Sequence, residues 1–407
     1  IVFGDWSSDV CSSDLMLQEK RGLFKRWNVF LIAITYGLVI YGTFLTRSGV
    51  FSSVHAFAQS DLGPAFFVFI AVMAIASLGL IFYRWEALRS EGQLTALFSR
   101  ETVFLLNNFV FMSILAVCFW GINYPLLSEL VTGQKVTMGP PFYESTVGPL
   151  LALLFLLMGI APLTAWGRST WKMLRRSVWR PALLAFLLVV ALFLGGVRQP
   201  GALLGFGLAA LVGFVTVYEY GRAAWMRHRT QGESALLALW QLAVRNRRRY
   251  GGYLIHLGVV LMSLGVIGIE FFQSETQGLL RPGESLEVAG YRLTYRSLAQ
   301  FDVPDGRNVT RAVVGVEKNG RFLGEVYPRR DYYYEAQQPM TIPGLRSTME
   351  DDVYVILVSW QPITEDGATF KVYHNPLVNW LWVGALVFLV GSLVAIWPES
   401  GNVVKSA

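Results

Sequence analysis

Charge is scarce in this chain of 407 residues: Asp, Glu, Lys and Arg make up 15% of it, against 54% hydrophobic residues. That balance excludes an ordinary soluble enzyme and indicates an integral membrane protein. Cysteine is scarcer still, at two residues. Cys11 lies in a stretch foreign to the rest, and Cys118 lies in the middle of an apolar run. No internal disulfide, CxxC or CxxCH motif follows, so the chain is neither a c-type cytochrome nor a dithiol oxidoreductase. Cys118 reads as a small apolar packing residue. Acidic residues are almost missing from the apolar runs; Glu219 and Glu270 stand near run ends, which leaves no carboxylate relay for protons. A nucleophile triad, a phosphate-binding loop, a glycine-rich dinucleotide motif and a metal-ligand cluster are missing too.

The foreign stretch is Asp5-Trp-Ser-Ser-Asp-Val-Cys-Ser-Ser-Asp-Leu15, which reads without a gap as one translated frame of a common sequencing-library adapter. On this reading residues 1–15 are set aside, authentic sequence starts near Met16, and the chain is the C-terminal piece of something longer. Loss of Asp5, Asp9 and Asp14 moves the net charge from +6 to +9.

What the chain does have is apolar runs of about 20 residues, the length that crosses a bilayer. They fall at about 27–46, 65–83, 102–124, 146–166, 181–197, 202–220, 253–272 and 377–397. Val197-Arg-Gln-Pro-Gly201 is a tight turn between two of them. Lys and Arg crowd alternate loops: Lys20 to Arg26, Arg84 to Arg100, Arg168 to Arg180 and Arg222 to Arg249. The other short loops hold only Arg47, Lys135 and Arg198. The positive-inside rule puts the first set and the tail after Pro398 in the cytoplasm. His55, the 125–145 loop and the 273–376 segment then face the other side.

The 273–376 segment is polar and β-prone, with candidate strands at Ser285 to Leu293, Arg311 to Glu317, Arg321 to Tyr327 and Val353 to Trp360. Lys318-Asn-Gly320 is a hairpin signal between two of them. An interfacial helix is expected at Ser234 to Val244. The expected fold is an α-helical multi-pass membrane protein of about eight transmembrane helices, with a small β-rich domain inserted before the last. Residues 16–272 form the helix bundle, 273–376 the β-rich domain, and 377–407 the last helix and tail.

Histidine is rare enough to be informative: there are four. His228 lies in a basic loop and reads as solvated, and His374 lies just outside the last span and reads as interfacial. His256 sits inside the 253–272 run, about one turn from its cytoplasmic end. An imidazole within a membrane is costly and marks a functional site by default. It could also serve only to hydrogen-bond a neighbouring helix. Gly251, Gly252, Gly258 and Gly265 leave room beside it for a close helix or a flat ring. His55 sits four residues after Phe51, and so shares a helical face with it, downstream of Arg47. Imidazole is the usual axial ligand of haem iron, and a nearby Arg suits its anionic propionates. Arg47 serves equally well as a snorkelling anchor, and His55 as an incidental interfacial residue.

Several segments resemble the CcmF/CycK family of cytochrome c-type biogenesis proteins. They are Glu19-Lys-Arg-Gly22, Gly42-Thr-Phe-Leu-Thr-Arg-Ser-Gly-Val-Phe-Ser-Ser-Val-His55-Ala-Phe, Ser99-Arg-Glu-Thr-Val-Phe-Leu-Leu-Asn-Asn108, Tyr327-Pro-Arg-Arg-Asp-Tyr-Tyr-Tyr with Gln338-Pro-Met-Thr341, and Asn375-Pro-Leu-Val-Asn-Trp380. The resemblance implies a haem lyase subunit of the bacterial inner membrane, with the 273–376 domain in the periplasm. Such a subunit takes haem from the chaperone CcmE. It supports haem attachment to CxxCH apocytochrome c presented by CcmH/CcmI-type subunits, with quinol as an electron source. By the same resemblance His55 is an axial ligand of the periplasmic haem and His256 an axial ligand of a resident membrane haem b. Arg47 is a candidate propionate partner.

The family's tryptophan-rich haem-handling motif and its second outer ligand would precede Met16. The second ligand of the membrane haem would fall at about Ser13, where no His exists. The chain therefore carries one member of each ligand pair and is expected to be inactive alone. Two rival readings stand beside this one: a haem or solute transporter, and an assembly scaffold that binds no haem. Nucleic acid is not an expected partner; the lipid bilayer is.

Overall fold

The computed structural model describes residues 18, 22, 24–47, 63–90, 99–164, 170–360 and 367–397. Among the described residues, eight helices are long and apolar enough to cross a membrane. That number matches the expectation from the apolar runs. The chain divides into two compact units, Ile1–Arg180 and Pro181–Ala407.

The first unit contains α1 (Lys25–Arg47), α2 (Gly63–Tyr83), α3 (Arg100–Thr132) and α4 (Pro140–Ile160). Ser99 caps α3, its hydroxyl accepting from the Thr102 amide at 3.2 Å, and Gly133 ends it in the left-handed region at φ 71°. The apolar run predicted an end near residue 124, yet α3 continues past Pro125 to Thr132. The Ser128 hydroxyl sustains this extension, donating to the Pro125 carbonyl at 3.0 Å and accepting from the Val136 amide at 3.0 Å. Val110 and Ile114 of α3 bury against Leu157 of α4. Phe67, Ile75 and Leu80 of α2 stay exposed, as lipid-facing side chains do.

Trp171–Leu194 forms α5, which leads into the second unit. There α6 (Pro200–Gln231), α7 (Ala235–Arg245) and α8 (Arg247–Phe272) are followed by ten strands and then α9 (Asn379–Ile396). α6 runs a further three turns beyond its apolar run, so Arg222 to Gln231 is helix rather than loop. A bidentate pair from Arg227 to Glu233, at 2.6 and 2.8 Å, fastens the helix end. Ser234 caps α7, accepting from the Leu237 amide at 3.3 Å, close to the expected interfacial helix.

The strands form two antiparallel sheets, ordered β1-β10-β9-β8 and β2-β3-β4-β6-β7, with β5 paired to β4. Their ranges are β1 Ser274–Leu280, β2 Ser285–Val288, β3 Tyr291–Val303, β4 Arg307–Lys318, β5 Arg321–Val326, β6 Arg329–Tyr333, β7 Gln338–Ile342, β8 Gly344–Ser347, β9 Asp351–Trp360 and β10 Ala368–Pro376. Alternate residues point into one core: Tyr291, Leu293 and Tyr295; Val353, Val355 and Leu357; Ala368, Phe370 and Val372. The expected hairpin at Asn319-Gly320 is present, with φ of 52° and 78° as a two-residue primed turn requires. The single strand expected over Ser285 to Leu293 is instead two. Ala289 (φ 47°) and Gly290 (φ 79°) turn the chain back, pairing Val288 with Tyr291. The Ala-Gly pair lacks the Asn that signals such a turn.

The two sheet strands nearest the helices run directly into them. β1 follows α8 after Gln273, β10 precedes α9 by two residues, and Ser274 pairs with His374. Asn379 at the start of α9 donates to Ser347 Oγ at 2.7 Å and to Asp352 Oδ1 at 2.9 Å. Gln273 donates to Asn375 Oδ1 at 2.6 Å, and the Leu377 amide donates to the Glu350 carbonyl at 2.8 Å.

Candidate functional site

The site is built on α8, whose surface divides by the 3.6-residue turn. One face is a seam of glycines seven apart, Gly251, Gly258 and Gly265, all pressed against α9. A Cβ on Gly251 would stand 2.7 Å from the Ala395 amide, on Gly258 2.6 Å from the Phe388 amide, and on Gly265 2.9 Å from the Leu381 amide. Gly384 and Gly391 of α9 answer with the same spacing, against Met262 and Ile255. A second face meets α6: Ile267 lies beside Gly205, Phe271 beside Gly201, Val260 beside Gly213, and Tyr253 beside Tyr220.

His256 stands on the arc between these two faces. Gly252, four residues earlier on the same arc, has nothing within 4 Å of the place a Cβ would occupy. Of the four glycines expected to make room, Gly251, Gly258 and Gly265 are thus filled by a helix. Gly252 alone opens beside the histidine. The His256 side chain is half-buried, and its Nδ1 is sealed from solvent with no hydrogen-bond partner. Unpaired buried polar atoms cost free energy and call for an explanation. An imidazole that no protein group engages at Nδ1 is free to offer a ring nitrogen to iron, as a haem ligand would. The residues present therefore fit the group.

Arg47 is the exposed last residue of α1. His55 lies outside the described residues, so the pairing of Arg47 and His55 rests on sequence alone. His228 is exposed near the end of α6, its Nδ1 against the Glu233 carbonyl, a helix-end contact.

His374 lies just outside the last span, in β10 five residues before α9, with Nε2 3.0 Å from Asp351 Oδ2 and its ring 5.9 Å from that of Tyr291. Tyr291 donates to Asp351 Oδ1 at 2.8 Å, and Lys318 Nζ donates to Asp351 Oδ2 at 3.1 Å. The partners come from four strands, which is why spacing along the chain could not reveal the cluster. Burial alone would push the Asp351 carboxyl up, but the hydrogen bonds from His374, Tyr291 and Lys318 outweigh it and hold the group at about 2, below its ordinary 3.8. A depressed carboxylate stabilises the fold above its ordinary pKa and loses that contribution as pH falls through the folded value. The sandwich is therefore expected to hold constant stability on this account above about pH 5 and to lose on the order of 2 kcal/mol between about pH 4 and 2. Thermal melts across that range check this, and Asp351→Asn should flatten the slope.

Comparison with known proteins places these features in context. A family model described as the CcmF C-terminal beta-sandwich matches residues 271–376. The cytochrome c-type biogenesis protein CcmF of Haemophilus influenzae is 27% identical over 391 residues, covering 95% of this chain and 58% of that protein. CcmF of Pseudomonas fluorescens is 30% identical, covering 94% and 56%. The cytochrome c-type biogenesis protein ccl1 of Rhodobacter capsulatus is 31% identical, covering 92% and 55%. A solved structure of Cytochrome c Heme Lyase CcmF superposes with a TM-score of 0.75 at 25% identity, over 98% of this chain and 59% of that one. The chain thus spans little more than half the length of the relatives it matches.

Proposed function

Because this chain belongs to the CcmF/CycK family of cytochrome c-type biogenesis proteins, we propose that it serves cytochrome c maturation as the haem-holding part of a haem lyase in the bacterial inner membrane. The observation that carries the reading is the sealed, unpartnered Nδ1 of His256 beside the open arc at Gly252.

In this reading His256 supplies an imidazole nitrogen to a haem b held against α8. The glycine seam and α6 fix the helix on either side, so the ring stays oriented without a dedicated loop. When bound, the membrane haem would supply an iron able to carry an electron, and the outer haem the vinyl groups to which cysteine thiols add. His55 is the ligand for the second haem, on the periplasmic side, and Arg47 is the cation for its propionates. The sandwich is the periplasmic module, positioned to meet the haem chaperone CcmE and the CcmH/CcmI-type subunits that present CxxCH apocytochrome c. Quinol is the electron source.

A visible spectrum of the full-length protein purified from membranes tests this against the scaffold reading. A Soret band at about one haem per protein or more is expected. A preparation with no Soret band from haem-replete cells would leave only the scaffold.

A further inference from the structure

The arc of α8 that carries His256 and the open position at Gly252 continues one turn further to Arg249, seven residues from the histidine. At 1.5 Å per residue the two α-carbons stand about 10.5 Å apart along the axis. The Arg249 guanidinium is only partly engaged. Its Nε donates to the Tyr253 hydroxyl at 3.3 Å, and the Tyr250 and Tyr253 rings each lie 5.8 Å from it. Glu219 Oε2 is 3.7 Å away, beyond hydrogen-bond reach, and Glu219 also faces Arg222 at 3.8 Å. Among the described residues the two terminal amino groups of Arg249 thus donate no hydrogen bond, and its side chain is 59% exposed.

Haem carries two propionate carboxylates on one edge of its ring. Charged groups are costly in hydrocarbon, so they belong toward the end of α8 nearer to His256. That end is Arg247, nine residues away, against sixteen to Phe272, or about 14 Å against 24 Å. The nearer end also holds Arg247, Arg248 and Arg249. The far end has no basic residue in its last turn and carries Glu270, five full turns from Gly252 and so on the same arc. Distance and charge agree on one orientation.

Resting on the haem-holding role of His256, we infer that Arg249 is a propionate-binding residue of the membrane haem: its terminal amino groups pair with a propionate on the side of α8 left open at Gly252. A planar guanidinium matches a carboxylate at two points. The Tyr253 hydroxyl holds Nε, and Glu219 keeps the cation at this level without saturating it. Spacing alone hid the role, because arginines at a helix end read as topology markers.

The test is a double-mutant cycle between protein and cofactor. Full-length apo-protein from haem-depleted cells, in a His55→Ala background that confines binding to the membrane site, is titrated with haem and with haem dimethyl ester, whose propionates carry no charge. The Soret band reports binding. Arg249→Gln should weaken haem binding about tenfold or more while leaving ester binding unchanged. Arg249→Lys, which keeps the charge but not the two-point pair, should show the same selective loss in smaller degree, so the comparison does not hang on one variant folding. Arg222→Gln, the same charge change at the other cation beside Glu219, should alter neither. Unchanged haem affinity in both Arg249 variants overturns the inference, as does an equal loss for haem and ester, which assigns the effect to packing, or an equal loss in Arg222→Gln, which assigns it to general charge. Wild-type haem affinity in His256→Ala is a separate outcome; it removes the ligand reading and Arg249 with it.

Discussion

Full-length protein carrying His256→Ala is expected to lose most of its membrane haem while accumulating to normal levels. Two physical arguments meet here. An axial bond to iron is worth more than the roughly 1.4 kcal/mol that makes tenfold in affinity, so occupancy should fall below about a tenth under conditions that just saturate wild type. The fold itself should not suffer, because the alanine removes a buried nitrogen that has no protein partner to lose. His256→Gly should leave a gap that added imidazole enters, restoring part of the spectrum. Haem content per protein by pyridine haemochrome measures both. Wild-type content in purified His256→Ala would return this residue to a helix-packing role.

The largest effect on stability is expected at Gly258. A Cβ there would meet the Phe388 amide at 2.6 Å and the Gly384 carbonyl at 2.8 Å. Both are backbone atoms, so no rotamer change relieves the clash. Gly258→Val should force α9 away from α8, at about 1–3 kcal/mol or more for overpacking. The strain would reach the sandwich, since α9 begins at the Asn379 hydrogen bonds to Ser347 and Asp352. Gly252→Ala is the matched control: it meets nothing within 4 Å, and should be neutral or gain about 0.5–1 kcal/mol from helix propensity. Thermal unfolding in detergent measures both. A Gly258→Val protein that melts with wild type would show that the seam is not close-packed.

These two residues also show how far the chain could be read unaided. The rarity of histidine in an apolar run singled out His256, because a buried imidazole is costly unless something partners it. The glycines were visible as small residues, but which of them meet a helix depends on α9, more than a hundred residues downstream. Helix number was legible from length and polarity. Helix ends were not, because α3 runs on past Pro125, which reads as a stop, and the outer turns of α6 carry the charges that mark loops. In the sandwich Asn319-Gly320 announced its turn through residues that tolerate positive φ, whereas Ala289-Gly290 did not. The partner of His374 was hidden for a related reason: Asp351 lies on the adjacent strand, and only sheet pairing brings the two together.

The direct passage of α8 into β1 and of β10 into α9 gives the sandwich a shaft rather than a tether. The paired strands, the Asn379 and Gln273 hydrogen bonds and the glycine seam leave no slack between the sheet and the helix pair. His256 lies sixteen residues before Phe272, about 24 Å down that shaft at 1.5 Å per residue. Uncoupling the sandwich from the helix pair would take flexible inserts at both junctions, after Gln273 and after Pro376.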